Sequence, residues 1–209
     1  MDEIDPIAKK IGAVNNIVRR ADGTLKSYNT DYIGAISAIE DELRESNDSI
    51  PTVGSPLAGK LFVVLGAGGA GKSLAYGAQQ KGARVIANRT FERAKELAEK
   101  VGGKALTLEE VSEFHPEDKM ILANTTSVGM KPDINSTPIP KEALRHYDLV
   151  FDAIYTPKET RLLQEARECG KIIVYGTEML IRQAFEQYQN FTGLPAPEDL
   201  FRELMSRHA

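Results

Sequence analysis

Residues 60–73 read KLFVVLGAGGAGKS, an unbroken apolar run that ends in a glycine-rich turn. A run without polar alternation predicts a strand covered on both faces, the situation of a parallel sheet wrapped by helices. The turn satisfies two phosphate-binding patterns at once. Read as G-x-G-x-x-G it uses Gly66, Gly68 and Gly71, with Ala67, Gly69 and Ala70 between them; read as G-x-x-x-x-G-K-S it ends at Lys72 and Ser73. Both readings put glycines where backbone approaches phosphate and a helix N-terminus supplies donors and positive potential. They imply different chemistry: hydride transfer with a nicotinamide in the first case, phosphoryl transfer from a nucleotide in the second.

Beyond the turn, short apolar runs alternate with helical segments. AGKSLAYGAQQKG predicts a helix, RVIANR a second strand, ERAKELAEKVG a helix, and KALTLEE with VSEF a short strand and helix. MILANTTS and DLVFDAIY predict further strands, TRLLQEARECG a helix and KIIVYG the last strand. Residues 176–209 turn helical again in TEMLIRQAFEQYQNFTG and PEDLFRELMSRHA. Upstream, AVNNIVRR and LKSYNT flank the turn ADGT and predict a hairpin within residues 1–30. TDYIGAISAIEDELRE carries Ile33, Ile36, Ile39 and Leu43 at helical spacing, with Thr30 or Asp31 as its cap. SNDSIPTVGSPLAG then predicts a loop between units. The expected fold is α/β, a Rossmann-like doubly wound parallel sheet over residues 35–175, with residues 1–34 before it and C-terminal helices over 176–209.

The tip of the second strand separates the two readings of the glycines. In a dinucleotide domain this tip reaches the adenosine ribose, and an acidic residue there binds the 2'-hydroxyl of NAD. Here the place is held by Asn88, Arg89 and Thr90, with Arg93 one helical turn onward. Guanidinium, amide and hydroxyl donors suit a 2'-phosphate that a carboxylate would repel, so the expected cofactor is NADP. The P-loop reading draws support from LVFD at 149–152, an apolar strand ending in an aspartate, but gives no role to Gly68, Gly69 or the NRT tip. On the NADP reading Lys72 and Ser73 are ordinary helix residues.

Composition sets outer limits. The chain has 209 residues, 42% apolar and 27% charged, enough for a core that needs no staples. A net charge of −4 leaves no basic stripe for nucleic acid, and no apolar run approaches the ~18 residues of a membrane span. The acidic start MDEID is unlike a signal or transit peptide. Cys169 is the only cysteine, which excludes a disulfide framework, and His115, His146 and His208 lack metal-ligand spacing.

At this level of detail the chain resembles shikimate dehydrogenases. GAVNN (12–16), YNTDYIG (28–34), GAGGAG, NRTFERA (88–94), NTTSVGM (124–130), DAIYTPKET (152–160) and GTEMLIRQA (176–184) occur in that family's order. The likeness is greatest to the plant form, the C-terminal half of a fusion with 3-dehydroquinate dehydratase. It implies NADP-dependent, reversible reduction of 3-dehydroshikimate to shikimate, in a plastid. By the same resemblance Asp31 pairs with a lysine at the substrate, Asn15 binds substrate hydroxyls, and Tyr155 and Gln183 line the same pocket. Met130, Ala153 and Gly176 fall where the family holds the nicotinamide half. Taken as residues alone, Asp31 also reads as a helix cap and Asn15 as a polar residue at a strand bend. Tyr155 also reads as a packing side chain, Gln183 as a solvated helix residue, and Arg89 as an ion-pair partner of Glu92 or Glu96.

The resemblance also implies what to look for and not find. The family's catalytic lysine and substrate-binding serines match nothing here, and Lys9 and Lys10 in PIAKKIG read as solvated. The expectation is therefore a fragment that keeps the cofactor domain and one wall of the substrate site, with residues 1–34 the remnant of a substrate lobe. It would bind NADP, turn over shikimate negligibly and be prone to self-association through an exposed sheet edge. A quinate dehydrogenase is the neighbouring alternative, and a P-loop NTPase the alternative from another class.

Overall fold

The computed structural model of the protein describes residues 1–46, 53–88, 91–116 and 119–208. The chain opens with β1 (Glu3–Ile4) and a short helix α1 (Pro6–Ile11), neither of which the sequence reading anticipated. Their signals are local. The Asp5 side chain accepts from the backbone N–H of Ile7 and Ala8, Pro6 occupies the first turn, and Gly12 ends the helix in the left-handed region at φ 74°. The expected hairpin follows as β2 (Asn16–Arg19) and β3 (Leu25–Tyr28), paired antiparallel. β1 pairs parallel to β3, so the small sheet has the order β1-β3-β2.

Helix α2 (Asp31–Glu45) is where the isoleucine spacing put it, with Thr30 at its N-cap position as expected, but the Thr30 side chain makes no cap hydrogen bond. The Asn29 Oδ1, one residue earlier, accepts from the N–H of Asp31 and of Tyr32, at 3.1 and 3.4 Å, and supplies the capping bonds that the Thr30 side chain does not. The predicted interdomain loop falls partly on residues 47–52, outside the described residues.

From there the alternation is as expected. β4 (Leu61–Leu65), α3 (Gly69–Gln80), β5 (Arg84–Asn88), α4 (Phe91–Val101), β6 (Lys104–Leu106) and α5 (Leu108–Glu113) form one half. The other half is β7 (Met120–Asn124), a 3-10 turn at Lys141–His146, β8 (Tyr147–Asp152), α6 (Arg161–Glu168) and β9 (Ile172–Val174). Helices α7 (Gly176–Thr192) and α8 (Glu198–His208) close the chain.

The six strands pair parallel in the order β6-β5-β4-β7-β8-β9. The chain thus winds outward from β4 in one direction, then returns to β4's other side and winds outward again. β4 and β7 are the switch point, and a ligand crevice opens beyond their C-terminal ends. Every residue of β4 and β7 is buried. Phe62 and Val64 face a core shared with α2, α3 and α4, while Leu61, Val63 and Leu65 face a second core shared with α5 and α6. Each such fully buried aliphatic or aromatic side chain contributes about 1.5–3 kcal/mol relative to exposure.

Helix α2 lies between α3 and α7 at close quarters. A Cβ on Gly77 of α3 would stand 2.6 Å from Ile36 Cγ1, and one on Gly34 of α2 would stand 2.8 Å from the Met179 carbonyl oxygen of α7. The helix that begins at Asp31 is therefore seated directly on the core of the large sheet.

Candidate cofactor and substrate site

The glycine turn lies at the switch point, and two of its glycines are sterically required. Gly66 has φ 113°, and a Cβ there would stand 2.4 Å from Thr125 Oγ1 at the end of β7. A Cβ on Gly71 would stand 2.1 Å from the Gly66 carbonyl oxygen. The turn is consequently only Ala67 and Gly68 deep before α3 begins at Gly69, leaving that helix's first N–H groups at the crevice. Ala70 follows in the first turn of α3.

A cavity of ≈ 300 Å³ opens beside this turn, lined by Ala67, Gly68 and Gly69 and, across from them, by Arg93 and Leu97 of α4. Asn88 ends β5 in register with Leu65, which aims the strand tip at the same crevice. Arg89 and Thr90, and the Asn88 side chain, lie outside the described residues. The cradle fits a dinucleotide: bare backbone where a Cβ would collide, helix N–H donors, and a cation on the ribose side.

The geometry weakens the P-loop alternative at both of its magnesium positions. Ser73 is fully buried; its Oγ donates to the Gly69 carbonyl and accepts from Asn29 Nδ2, both at 2.9 Å. Asp152 is equally buried. Its Oδ1 accepts from the Ile154 N–H (3.0 Å) and Asn124 Nδ2 (3.1 Å), and its Oδ2 from Thr160 Oγ1 (2.7 Å). Burial pushes the Asp152 pKa up to about 6 against the pull of those three donors.

The Asn124–Asp152–Thr160 network organises the other half of the crevice. Asn124 Oδ1 accepts from the backbone and hydroxyl of Thr126, shaping the loop that leads to Met130, whose side chain is exposed. The Ala153 N–H donates to the Asn124 carbonyl at 2.9 Å. Gly176 starts α7 so near the end of β8 that a Cβ would stand 2.7 Å from the Ala153 carbonyl oxygen. Gly129 packs towards Thr160 and Ile154. Met130, Ala153 and Gly176, expected at one half-site, thus come from loops that pack on one another.

A third group lies on the small sheet and α2. Asn15 Nδ2 donates to Asp31 Oδ1 at 2.8 Å and to Thr30 Oγ1 at 3.0 Å, while its Oδ1 accepts from the Thr30 N–H. Asp31 is half-buried; burial raises its pKa and the Asn15 hydrogen bond lowers it, with burial the larger effect. No lysine or arginine among the described residues is ion-paired with it. Gln183 of α7 lies over Gly34, its Cγ 3.1 Å from where a Cβ there would be. One turn on, Gln187 donates to Thr30 Oγ1 at 3.4 Å, a neighbour of Asp31 that the sequence reading did not single out. Its i, i+4 spacing from Gln183 was the available signal. Tyr155 is 54% exposed, and no hydrogen bond or ring contact joins it to Asn15 or Asp31.

One side chain couples this wall to the glycine turn. Asn29, two residues before Asp31, donates through Nδ2 to the Ala13 carbonyl (3.1 Å) and to Ser73 Oγ on α3. Ala13 in turn approaches the turn itself, its Cβ 3.8 Å from where a Cβ on Gly69 would be.

Comparison with known proteins gives a consistent picture. The family described as Shikimate / quinate 5-dehydrogenase matches residues 51–131, and the Shikimate 5'-dehydrogenase C-terminal domain matches residues 176–205. The chain is 64% identical over 211 residues to the chloroplastic bifunctional 3-dehydroquinate dehydratase/shikimate dehydrogenase of Arabidopsis thaliana, covering 99% of this chain and 35% of that protein. It is 38% identical to the shikimate dehydrogenase (NADP(+)) of Bacillus cereus strain AH187, covering 99% of this chain and 73% of that one. Among solved structures, shikimate 5-dehydrogenase from Thermus thermophilus, in complex with NADP(H) and shikimate, superposes with a TM-score of 0.81 at 32% identity. That match covers 100% of this chain and 73% of the other. Quinate dehydrogenase from Corynebacterium glutamicum, in complex with NAD, gives 0.82 at 28% identity over 99% of this chain and 72% of that one.

Proposed function

Because the chain belongs to the shikimate dehydrogenase family, we propose that it carries the NADP-binding half and one substrate-binding wall of an enzyme that interconverts shikimate and 3-dehydroshikimate. The observation that supports this most is the direct tie, through Asn29, Ser73 and Ala13, between the glycine cradle and the Asn15–Asp31 pair. A hydride transfer needs its two reactants held against each other, and here the elements that would hold each are fastened together.

In this reading residues 1–34 are part of a substrate lobe, 35–175 the cofactor unit and 176–209 the helical return towards the substrate side. Gly66, Ala67, Gly68, Gly69, Ala70 and Gly71 receive the pyrophosphate, and Asn88, Arg89, Thr90 and Arg93 the 2'-phosphate. Met130, Ala153 and Gly176 flank the nicotinamide, which when bound supplies the hydride acceptor or donor. Asn15, Tyr155, Gln183 and Gln187 contact substrate hydroxyls. Asp31, braced by Asn15, orients a cationic proton-transfer group; burial already disfavours its charge, so a neighbouring ammonium would be strongly held. With no such cation at Asp31 among the described residues, these 209 residues alone are expected to bind NADP and to oxidise shikimate negligibly.

Titration calorimetry with NADP, NAD and magnesium-ATP tests the cofactor assignment; binding of ATP in place of NADP would defeat it. A sustained shikimate-dependent rise in reduced-nicotinamide absorbance from this chain alone would defeat the inactivity. Quinate in place of shikimate separates the neighbouring specificity. The chloroplastic Arabidopsis relative supports a plastid location. The flanking strands of the small sheet carry exposed Ile4 and Ile17, and self-association through them would show as a concentration-dependent mass in sedimentation.

A further inference from the structure

Three cations line the cavity beside the glycine turn. Lys72 comes from α3, and Arg93 and Lys100 from one face of α4. Among the described residues none of the three side chains enters a hydrogen bond or an ion pair, although Glu96 lines the same cavity. Like charges around one concavity repel each other, and an anion between them relieves that repulsion.

Lys72 is the informative member, because the dinucleotide pattern assigns it nothing. It is half-buried, the fourth residue of α3, and it lines the cavity from that helix while Arg93 lines it from α4. Lys100 is seven residues beyond Arg93, roughly 10 Å further along the helix axis at 1.5 Å per residue. Its ammonium lies 3.6 Å from where a Cβ on Gly12 would be, next to the C-terminal end of α1. Lys72, in the first turn of α3, and Arg93, in the first turn of α4 beside the tip of β5, thus border one cavity from two helices, while Lys100 enters it beside Gly12.

We propose that Lys72 is a specificity-determining contact for NADP, pairing with the 2'-phosphate from the α3 side while Arg93 holds it from the α4 side. The assignment rests on the cofactor reading above and deepens it. A phosphate monoester offers three oxygens; a guanidinium fork takes two in its plane and leaves one for a compact ammonium approaching from another direction. The pyrophosphate, common to NAD and NADP, needs no such cation, since the N–H groups of the first turn of α3 face it.

The test is calorimetric titration of NADP and NAD into the wild-type chain and into Lys72→Met, Lys100→Met and Arg93→Met, with melting temperatures confirming that each variant folds. Lys72→Met is expected to weaken NADP about tenfold and to change NAD less than about twofold, the loss of one charge-assisted hydrogen bond. Lys100→Met, which changes the same net charge, is expected to weaken NADP less than about threefold, reporting the long-range field alone. If Lys72→Met leaves NADP affinity unchanged, or weakens both dinucleotides alike, while Arg93→Met remains selective for NADP, the Lys72 assignment is wrong and the cofactor reading stands. A wild-type chain with no preference for NADP over NAD defeats both.

Discussion

Gly71 has no room for one more carbon. A methyl group there would meet the Gly66 carbonyl at 2.1 Å, and backbone on both sides of the contact is fixed by β4 and α3. Gly71→Ala is therefore expected to cost about 3 kcal/mol in urea unfolding and to abolish detectable NADP binding. Asp152 makes a prediction of a different kind. Its folded-state pKa, about 6, lies above the ordinary 3.8, so the native state takes up a proton that the unfolded chain releases. Its contribution to stability is fully present below the ordinary value and is lost as pH rises through about 6. Relative to Asp152→Asn, the wild type should gain on the order of 2–3 kcal/mol on going from pH 7 to pH 3.5, which paired urea titrations would measure. A flat difference would mean that the Asn124, Thr160 and Ile154 donors fully offset burial, and a loss on acidification that they outweigh it. The glycines were legible in the sequence because their spacing is a backbone requirement. The Asp152 network was not, since nothing local distinguishes a buried aspartate from one that holds magnesium.

At the scale of elements, the alternation of apolar runs and helical segments gave the large sheet nearly strand by strand, since doubly covered strands have no polar residues to confuse the pattern. What escaped was short or relational. β1 has two residues, too few for any periodicity, and α1 announced itself only through Asp5, Pro6 and Gly12. Thr30 holds the N-cap position of α2, but the side-chain bonds come from Asn29, a division the sequence did not show because Asn29, Thr30 and Asp31 are all competent cap residues and it is Asn15 that engages the side chains of Thr30 and Asp31. Asn29 consequently does two jobs. Asn29→Ala should cost about 2 kcal/mol, the sum of a lost cap and a lost buried hydrogen bond, whereas Ser73→Ala, which spares the cap, should cost about 1 kcal/mol. Equal costs, measured by chemical denaturation, would show that Asn29 contributes nothing to α2.

For the molecule as a whole, ligand binding and stability are linked. At a concentration one hundred times its dissociation constant, a ligand that binds only the native state adds about 2.7 kcal/mol, which for a chain of this size raises the melting temperature by about 5–10 °C. NADP should produce that shift in scanning fluorimetry while NAD at the same concentration produces a smaller one; equal shifts would argue against recognition of the 2'-phosphate. The cofactor half of the site was readable from sequence because a strand, a turn and the next strand's tip lie within about thirty residues of one another. The proposed substrate wall was readable only by resemblance at Asn15, Asp31 and Gln183, and not at all at Gln187, because the packing of α2 against α7 that brings Gln183 to Gly34 and Gln187 to Thr30 is encoded by no local pattern. That packing carries a further implication. With Gly34 and Gly77 letting neighbouring backbones touch it from two sides, α2 can neither roll nor slide without collision, so the carboxylate at its head is a stationary post. On the proposed function, molecules of different girth would have to be accommodated by the exposed Tyr155 and the Met130 loop, and a programme to broaden the range of accepted rings would begin by varying those, leaving the post alone.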